Sequence, residues 1–271
     1  MKISCLADNC ALPGFGAEHG LSLWIEACGK KILFDSGADG LFLENAARLG
    51  IDVGQADFAV LSHGHYDHGG GLPAFFAANR RARVYVRRGA FEGRYALRPG
   101  GEREYIGLEP AVKSSGRAVE TEELSELAPG LTLFSGVRGR ELFSGANRLL
   151  LGPDGETPDS FSHEQHLLIR EGERRVLIAG CCHCGIVNIL ARLAELEPEP
   201  PDAVIGGFHL AVPGTGELDE ALVDGVAARL LVLPGTRYYT GHCTGLASYA
   251  RLKEKMGQRV AYLHAGETLE L

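Results

Sequence analysis

The chain has 271 residues, 45% apolar and 23% charged, enough to bury a large core and too apolar for a disordered or collagen-like polymer. Lys and Arg number 27 against 35 Asp and Glu, a formal charge of -8, which argues against non-specific binding to nucleic acid or to an anionic membrane. No window approaches the roughly 20 apolar residues of a bilayer span, and MKISCLADNC has no basic segment before a long apolar run, so a cytoplasmic protein without a membrane is expected. Seven cysteines in an odd set with no framework spacing fit free thiols in a reducing compartment.

Lys2–Ala7 reads as a strand, and Leu21–Ala27 with Lys31–Phe34 reads as a hairpin around Cys28-Gly29-Lys30. A helix is predicted over Leu41–Leu49, ended by Gly50. The apolar strand Phe58–Leu61 runs into SHGHYDHGGG, after which Leu72–Ala78 has helical composition. Within residues 87–160, Leu131–Phe134 reads as a strand, as does Val84–Val86 just before. Arg87–Gly107 and Gly136–Ser160 are rich in Gly, Arg, Pro and Ser, which predicts an insertion or lid around 87–160 of a single domain spanning 1–271. His166–Ile169 and Val176–Ala179 form another predicted hairpin, then CCHCG leads into a helix over Ile186–Leu196 with one apolar stripe, stopped by Pro198. The pattern recurs as Ala203–Ile205, GGFHL and a helix near Glu217–Leu231, then Tyr238–Thr240, GHCTG and a helix near Leu246–Met256, before a last strand at Arg259–Leu263. Strands therefore end in loops carrying His63, His65 and His68, then His183, His209 and His242, on an α/β fold of sheet with flanking helices.

Within six residues His63, His65, Asp67 and His68 offer three imidazoles and a carboxylate, donors that suit zinc, with iron or manganese also accommodated. Alternation at 63 and 65 sends both rings to one side, and the turn permitted by Gly69, Gly70 and Gly71 lets Asp67 and His68 face a neighbouring point, so one or two ions are expected. Cys181, Cys182 and Cys184 do not read as a thiolate zinc knot, because no second cysteine pair stands at the required spacing.

The segment His63-Gly-His65-Tyr-Asp67-His68 resembles the HxHxDH signature of the metallo-β-lactamase superfamily. The likeness extends to LFDSG with Asp35, to the single histidine of GCCHCG and to two later loops. It implies an αββα sandwich with metals at one sheet edge, a binuclear site and hydrolase activity. By similarity, His63, His65 and His183 would hold the first metal and Asp67, His68 and a late histidine, best matched by His242, the second. The phrases GAEHGLSLWIE, SHGHYDHGGGL, EQHLLI, GCCHCGIVNIL, GGFHL and GHCTG are together similar to the branch labelled 7,8-dihydropterin-6-yl-methyl-4-(β-D-ribofuranosyl)aminobenzene-5′-phosphate synthase-like.

One position departs from the superfamily pattern. Where a bridging Asp is implied, DAVIGGFHL places His209, whose imidazole has one lone pair and serves one ion. His209 is therefore read either as a ligand to a single metal or as a catalytic, substrate-facing group. Asp35 either orients a ligand's distal N–H or caps the helix near Leu41. His19 either lines the mouth or is solvated, and Glu164 either reaches the site from the lid or lies on the surface. Cys243 either faces substrate or packs as a small hydrophobe, and no third partner is visible for His163 or His166.

These residues predict hydrolysis of a small-molecule ester, lactone, amide or phosphate ester through metal-activated hydroxide, with Asp67 also taking a proton. Arg87, Arg88, Arg94, Arg98 and Arg103 suit an anionic substrate. Nucleic acid is a minor expectation as partner. Two alternatives stay open: an iron-containing redox or sensing protein in which Cys181, Cys182, Cys184 and Cys243 report oxidation, and a non-enzymatic ligand-binding relative. Nothing in the residues sets the oligomeric state.

Overall fold

The computed structural model describes residues 1–211 and 218–271. Two seven-stranded sheets carry the fold. In the first the strands lie in the order Thr268–Glu270, Lys2–Ala7, Ser22–Ala27, Lys30–Phe34, Phe58–Leu61, Arg83–Arg87 and Ala118–Thr121. In the second they run Val260–Tyr262, Arg237–Thr240, Ala203–Ile205, Arg174–Ile178, His166–Glu171, Leu131–Phe134 and Leu124–Ala128.

Alternation along each strand sorts side chains into separate cores. Val60 enters the core between the sheets, where it joins Ile3, Ile25 and Ile32 against Leu133, Leu167, Ile178 and Ile205. Its neighbours Ala59 and Leu61 point the other way, towards Phe42, Ala46, Leu72 and Phe75 of helices Leu41–Arg48 and Leu72–Ala78. The outer face of the second sheet is covered by helices Ile186–Leu196, Glu220–Leu231 and Leu246–Met256, through Ile189, Leu193, Val226, Leu230 and Leu252. The result is an αββα sandwich. Each fully buried Leu or Ile in these layers contributes about 1.5–3 kcal/mol of transfer free energy.

Four strands run parallel in the second sheet, and Lys30–Phe34, Phe58–Leu61, Arg83–Arg87 and Ala118–Thr121 run parallel in the first. The carboxyl ends of parallel strands are where an open sheet leaves backbone free to build a site. Phe58–Leu61, Arg174–Ile178, Ala203–Ile205 and Arg237–Thr240 each release a histidine-bearing loop there.

Three expectations change. The stretch 87–160 is not one continuous insertion, because Ala118–Thr121, Leu124–Ala128 and Leu131–Phe134 belong to the two main sheets. The first two are outermost strands with part-exposed side chains, which weakens their alternation in sequence. The remainder builds a small sheet of Leu150–Leu151, Tyr95–Leu97 and Arg103–Tyr105. The strand expected to close the chain is Val260–Tyr262, and it is followed by a further strand, Thr268–Glu270, that pairs antiparallel with Lys2–Ala7. The helix expected near Glu217 begins at Glu220, where Asp219 accepts a hydrogen bond from Leu222 N at 2.9 Å. Glu217 itself lies outside the described residues. Among the described residues no helix is long and apolar enough to cross a membrane.

Candidate metal centre

Strand Phe58–Leu61 delivers Ser62 and His63 to the edge, where Gly64 passes so close to the Ala90 carbonyl that a Cβ would collide with it. His65 then starts a short helix, Tyr66–Gly69, which turns Asp67 and His68 inward; all four donor residues are buried. Beneath them, Asp35 sits in the left-handed region at φ 56. Its carboxylate accepts from Ser62 N at 2.7 Å, from Ser62 Oγ at 2.7 Å and from His68 Nδ1 at 2.6 Å. The helix-capping alternative for Asp35 fails: that helix begins after Gly40, with Asp39 accepting from Leu41 N.

The other loops hold their histidines as firmly. His183 Nδ1 faces Asn147 Oδ1 at 3.1 Å, Phe161 stacks on the ring at 4.6 Å, and Glu164 accepts from His183 N at 2.7 Å and Cys184 N at 2.9 Å. Glu164 is thus neither a surface group nor a lid residue reaching substrate; it is buried and holds backbone. His242, at φ 46, has its backbone N–H on Asp8 Oδ2 at 2.7 Å and its Nδ1 against Asn9 Oδ1 at 2.8 Å. Left-handed non-glycine residues at Asp35, Cys182, His209 and His242 cost on the order of 1–3 kcal/mol each, and they cluster here.

The tautomers follow from these partners. Ser62 Oγ, committed as donor to Asp35, accepts from His63 Nδ1 at 2.9 Å. His183, His68 and His242 each face an acceptor oxygen with Nδ1 and donate there. In the neutral form of each of these four rings the lone pair is therefore on Nε2. Yet His63 Nε2 lies 3.3 Å from His183 Nε2, and His68 Nε2 lies 3.2 Å from His242 Nε2. Paired lone pairs at such separations repel unless a cation sits among them, and about 3.3 Å is the edge of a tetrahedron with roughly 2.0–2.1 Å metal–nitrogen bonds. His65 Nδ1 joins the first pair, 3.0 Å from His63 Nε2. Asp67 Oδ2 joins the second, 3.3 Å from His242 Nε2. The residues fit a divalent cation at two adjoining positions.

Electrostatics agree. Burial, reinforced by neighbouring imidazoles, holds His63 and His183 well below the ordinary histidine range, and burial brings His65 to about 3, so these rings stay neutral as ligands must. Burial also opposes charge on His242, but the Asp67 carboxylate outweighs it and lifts the pKa to about 9; a metal ion competes for that same lone pair. Asp67, raised by burial alone, is brought below the carboxylate range by His68 and His242 and stays ionised.

His209 stands apart from both trios. It is buried at φ 48, its ring centre is 4.3 Å from that of His183, and neither ring nitrogen has a hydrogen-bond partner among the described residues. Its donor atom groups with Cys181 and Cys243. His19 lies at the mouth, half exposed, with Nε2 3.3 Å from Asp67 Oδ2. Cys243 lines the same cavity, of about 380 Å³, with His209, Tyr66 and Arg98. Of the five arginines singled out, Arg98 is the one in that lining; Arg87 and Arg88 bind Thr121 and Glu122, Arg103 is directed to Glu156, and Arg94 is buried against Asp159.

Several supporting residues escaped the sequence reading. Asn9, Asn147 and Asp8 carry no motif of their own. Gln165 ties the two sheets, with its N–H on Ser62 O at 2.8 Å and its side-chain amide on Leu61 O and Tyr85 O. His163 does have partners: Gly64 N at 3.0 Å and Asp159 Oδ2 at 3.1 Å. Cys181, which no zinc-knot spacing marks as a ligand, has its Sγ 3.0 Å from His68 Nε2.

A family model described as the metallo-beta-lactamase superfamily matches residues 15–193. The chain belongs to that superfamily. An uncharacterized protein of Methanocaldococcus jannaschii is 30% identical across 98% of this chain and 99% of its own length. A second protein of that organism, named 7,8-dihydropterin-6-methyl-4-(beta-D-ribofuranosyl)-aminobenzene-5'-phosphate synthase, is 27% identical across 100% of this chain and 96% of its own. Among solved structures, a metal-dependent hydrolase of the beta-lactamase superfamily aligns with a TM-score of 0.81 at 29% identity, covering 100% of this chain and 99% of that one. The superfamily fold and the histidine-lined edge thus coincide in this chain.

Proposed function

We propose that this protein is a metal-dependent hydrolase of a small anionic molecule, with zinc held as one or two ions. The observation that carries the reading is the convergence of four Nε2 lone pairs whose rings are each turned by a buried acceptor. His63, His65 and His183 would hold one cation, and Asp67, His68 and His242 the other. When bound, such ions supply Lewis acidity towards a carbonyl or phosphoryl oxygen and make water acidic enough to lose a proton near neutral pH.

The remaining chemistry falls to the chain. The cavity of about 380 Å³ suits a small ligand rather than a polymer. Arg98, at its wall and paired through Nε with Glu104, would turn its remaining guanidinium N–H groups to a phosphate or carboxylate, while Ala96, Ile106 and Leu150 exclude water around an apolar portion. His209, with both nitrogens unpaired among the described residues, would offer a hydrogen bond to the substrate oxygen. His19, against Asp67 and open to solvent, is placed to hold the proton that the leaving group takes.

The likeness to the named synthase favours a second reading in which the same cavity takes a phosphate-bearing aromatic compound and water is not the nucleophile. The test is metal analysis of the purified protein with an absorption spectrum, then turnover of chromogenic phosphate esters, carboxylic esters and lactones before and after chelation. At least one zinc per chain and a chelator-sensitive hydrolysis lost in His63→Ala support hydrolysis. A coloured iron centre without hydrolysis, a metal-free protein, or a fully active His63→Ala variant would sink it.

A further inference from the structure

We infer that Cys181 supplies a thiolate ligand shared by the two donor sets, so that sulfur lies between the two cation positions. The inference rests on the metal-binding reading above. Among the described residues, the Cys181 sulfur groups with Asp67, His68 and His242 on one side and with His63 and His183 on the other, the donor atoms of each group lying within 4.8 Å of one another. None of those five residues belongs to both groups. The sulfur is 3.0 Å from His68 Nε2, the nitrogen left free when Asp35 takes the opposite N–H.

Local backbone explains why this cysteine and not its neighbours faces the site. Cys182 is left-handed at φ 55, and both Cys182 and Cys184 pack into the outer core with Phe134, Ile186 and Phe208. Cys181 is equally buried but lies outside that apolar cluster. Cys243 groups with Cys181 and His209 and with neither set of imidazoles.

Charge supplies the second argument. Five imidazoles, which ligate only as neutral rings, and one directly ligating carboxylate, Asp67, would leave two divalent cations with uncompensated positive charge in a buried site, which is costly. A thiolate between them would offset part of that charge, as His209, at the end of the third loop, would not. On ligation the Cys181 S–H bond breaks, its proton passes to solvent and the sulfur lone pair binds metal.

The test uses the whole chain loaded with cobalt(II), followed by equilibrium dialysis and near-ultraviolet absorption, with X-ray absorption on the zinc-loaded wild type. Cobalt should bind with an intense thiolate-to-metal charge-transfer band, and the zinc protein should show sulfur scattering at about 2.3 Å. Cys181→Ser should lose the band and weaken the second equivalent by more than the roughly 10–100-fold typical of losing an outer partner. Cys181→Asp should keep two ions without the band, and Cys243→Ser should retain it. Cobalt bound without band or sulfur scattering, or a band abolished by Cys243→Ser and kept in Cys181→Ser, overturns the assignment while leaving the metal centre standing. Failure of the wild type to bind cobalt or zinc removes both.

Discussion

Asp35 illustrates how one side chain can govern a site it does not enter. Its carboxylate bonds Ser62 twice and His68 once, and through Ser62 Oγ it also fixes His63. Replacing it by Asn puts an amide N–H against at least one of these donors and frees His68 to rotate or to change tautomer. Asp35→Asn is expected to weaken zinc at the Asp67, His68 and His242 position by about 10–100-fold while the first position stays filled. Competition titration against a chromophoric chelator reads this directly, and unchanged affinity for the second ion would refute it. Asp35 could be placed near the metal loop from LFDSG alone, but its choice between capping a helix and orienting an imidazole could not. That choice depends on the parallel pairing of Lys30–Phe34 with Phe58–Leu61, which brings residues 35 and 62 together.

Strand His166–Glu171 begins with a buried histidine that, among the described residues, has no hydrogen-bond partner on either ring nitrogen. Burial holds its pKa at about 3, against about 6.5 in an unfolded chain. The unfolded state therefore binds the proton first, so stability is present above about pH 6.5 and is lost progressively as pH falls towards 3. His166→Leu removes this proton uptake, and its urea stability relative to wild type should improve by about 2 kcal/mol between pH 7 and pH 5. A parallel pH dependence in the two proteins would contradict the assignment. The small sheet behind the site is anchored differently. Arg94 lies with Nε 3.0 Å from Asp159 Oδ2, an ion contact off the hydrogen-bond line, and donates to Gly93 O and Gly89 O. Both partners are buried, so Arg94→Met leaves the Asp159 carboxylate without its cation, held only by Phe161 N and His163, and should cost about 3–5 kcal/mol in urea unfolding, a loss below about 1 kcal/mol being the contrary result. The sequence showed Arg94 only as one of five arginines in a Gly-rich stretch. Its pairing partner is 65 positions on, and no local periodicity connects them.

The assembled sandwich concentrates strain, unpaired lone pairs and buried carboxylates on one edge, while its three apolar cores lie elsewhere. The edge is therefore the part whose stability depends on what it binds. A ligand present at about a thousandfold above its dissociation constant adds about 4 kcal/mol to the folded state. Chelation is expected to lower the thermal midpoint on the order of 10 °C, with recovery on adding zinc. A midpoint indifferent to chelator would show that the cluster contributes no metal-linked stability.

The helices and most strands near the site were readable because their signals are local: the stripe of Ile186 to Leu196, the apolar run Phe58–Leu61 and the glycines after each histidine loop act within a few residues. The HxHxDH segment was readable for the same reason, since three imidazoles and a carboxylate within six positions leave few other uses. What lay beyond reach was long-range. Asn9 against His242, Asn147 against His183 and Cys181 against His68 join residues separated by 233, 36 and 113 positions. Those contacts exist because two sheets pack face to face with their parallel carboxyl ends on a common edge, a consequence of burying Val60, Ile178 and Ile205 in one core. The chain's composition chose the kinds of donor; the packing of the two sheets chose which nitrogen and which sulfur of each would face the others.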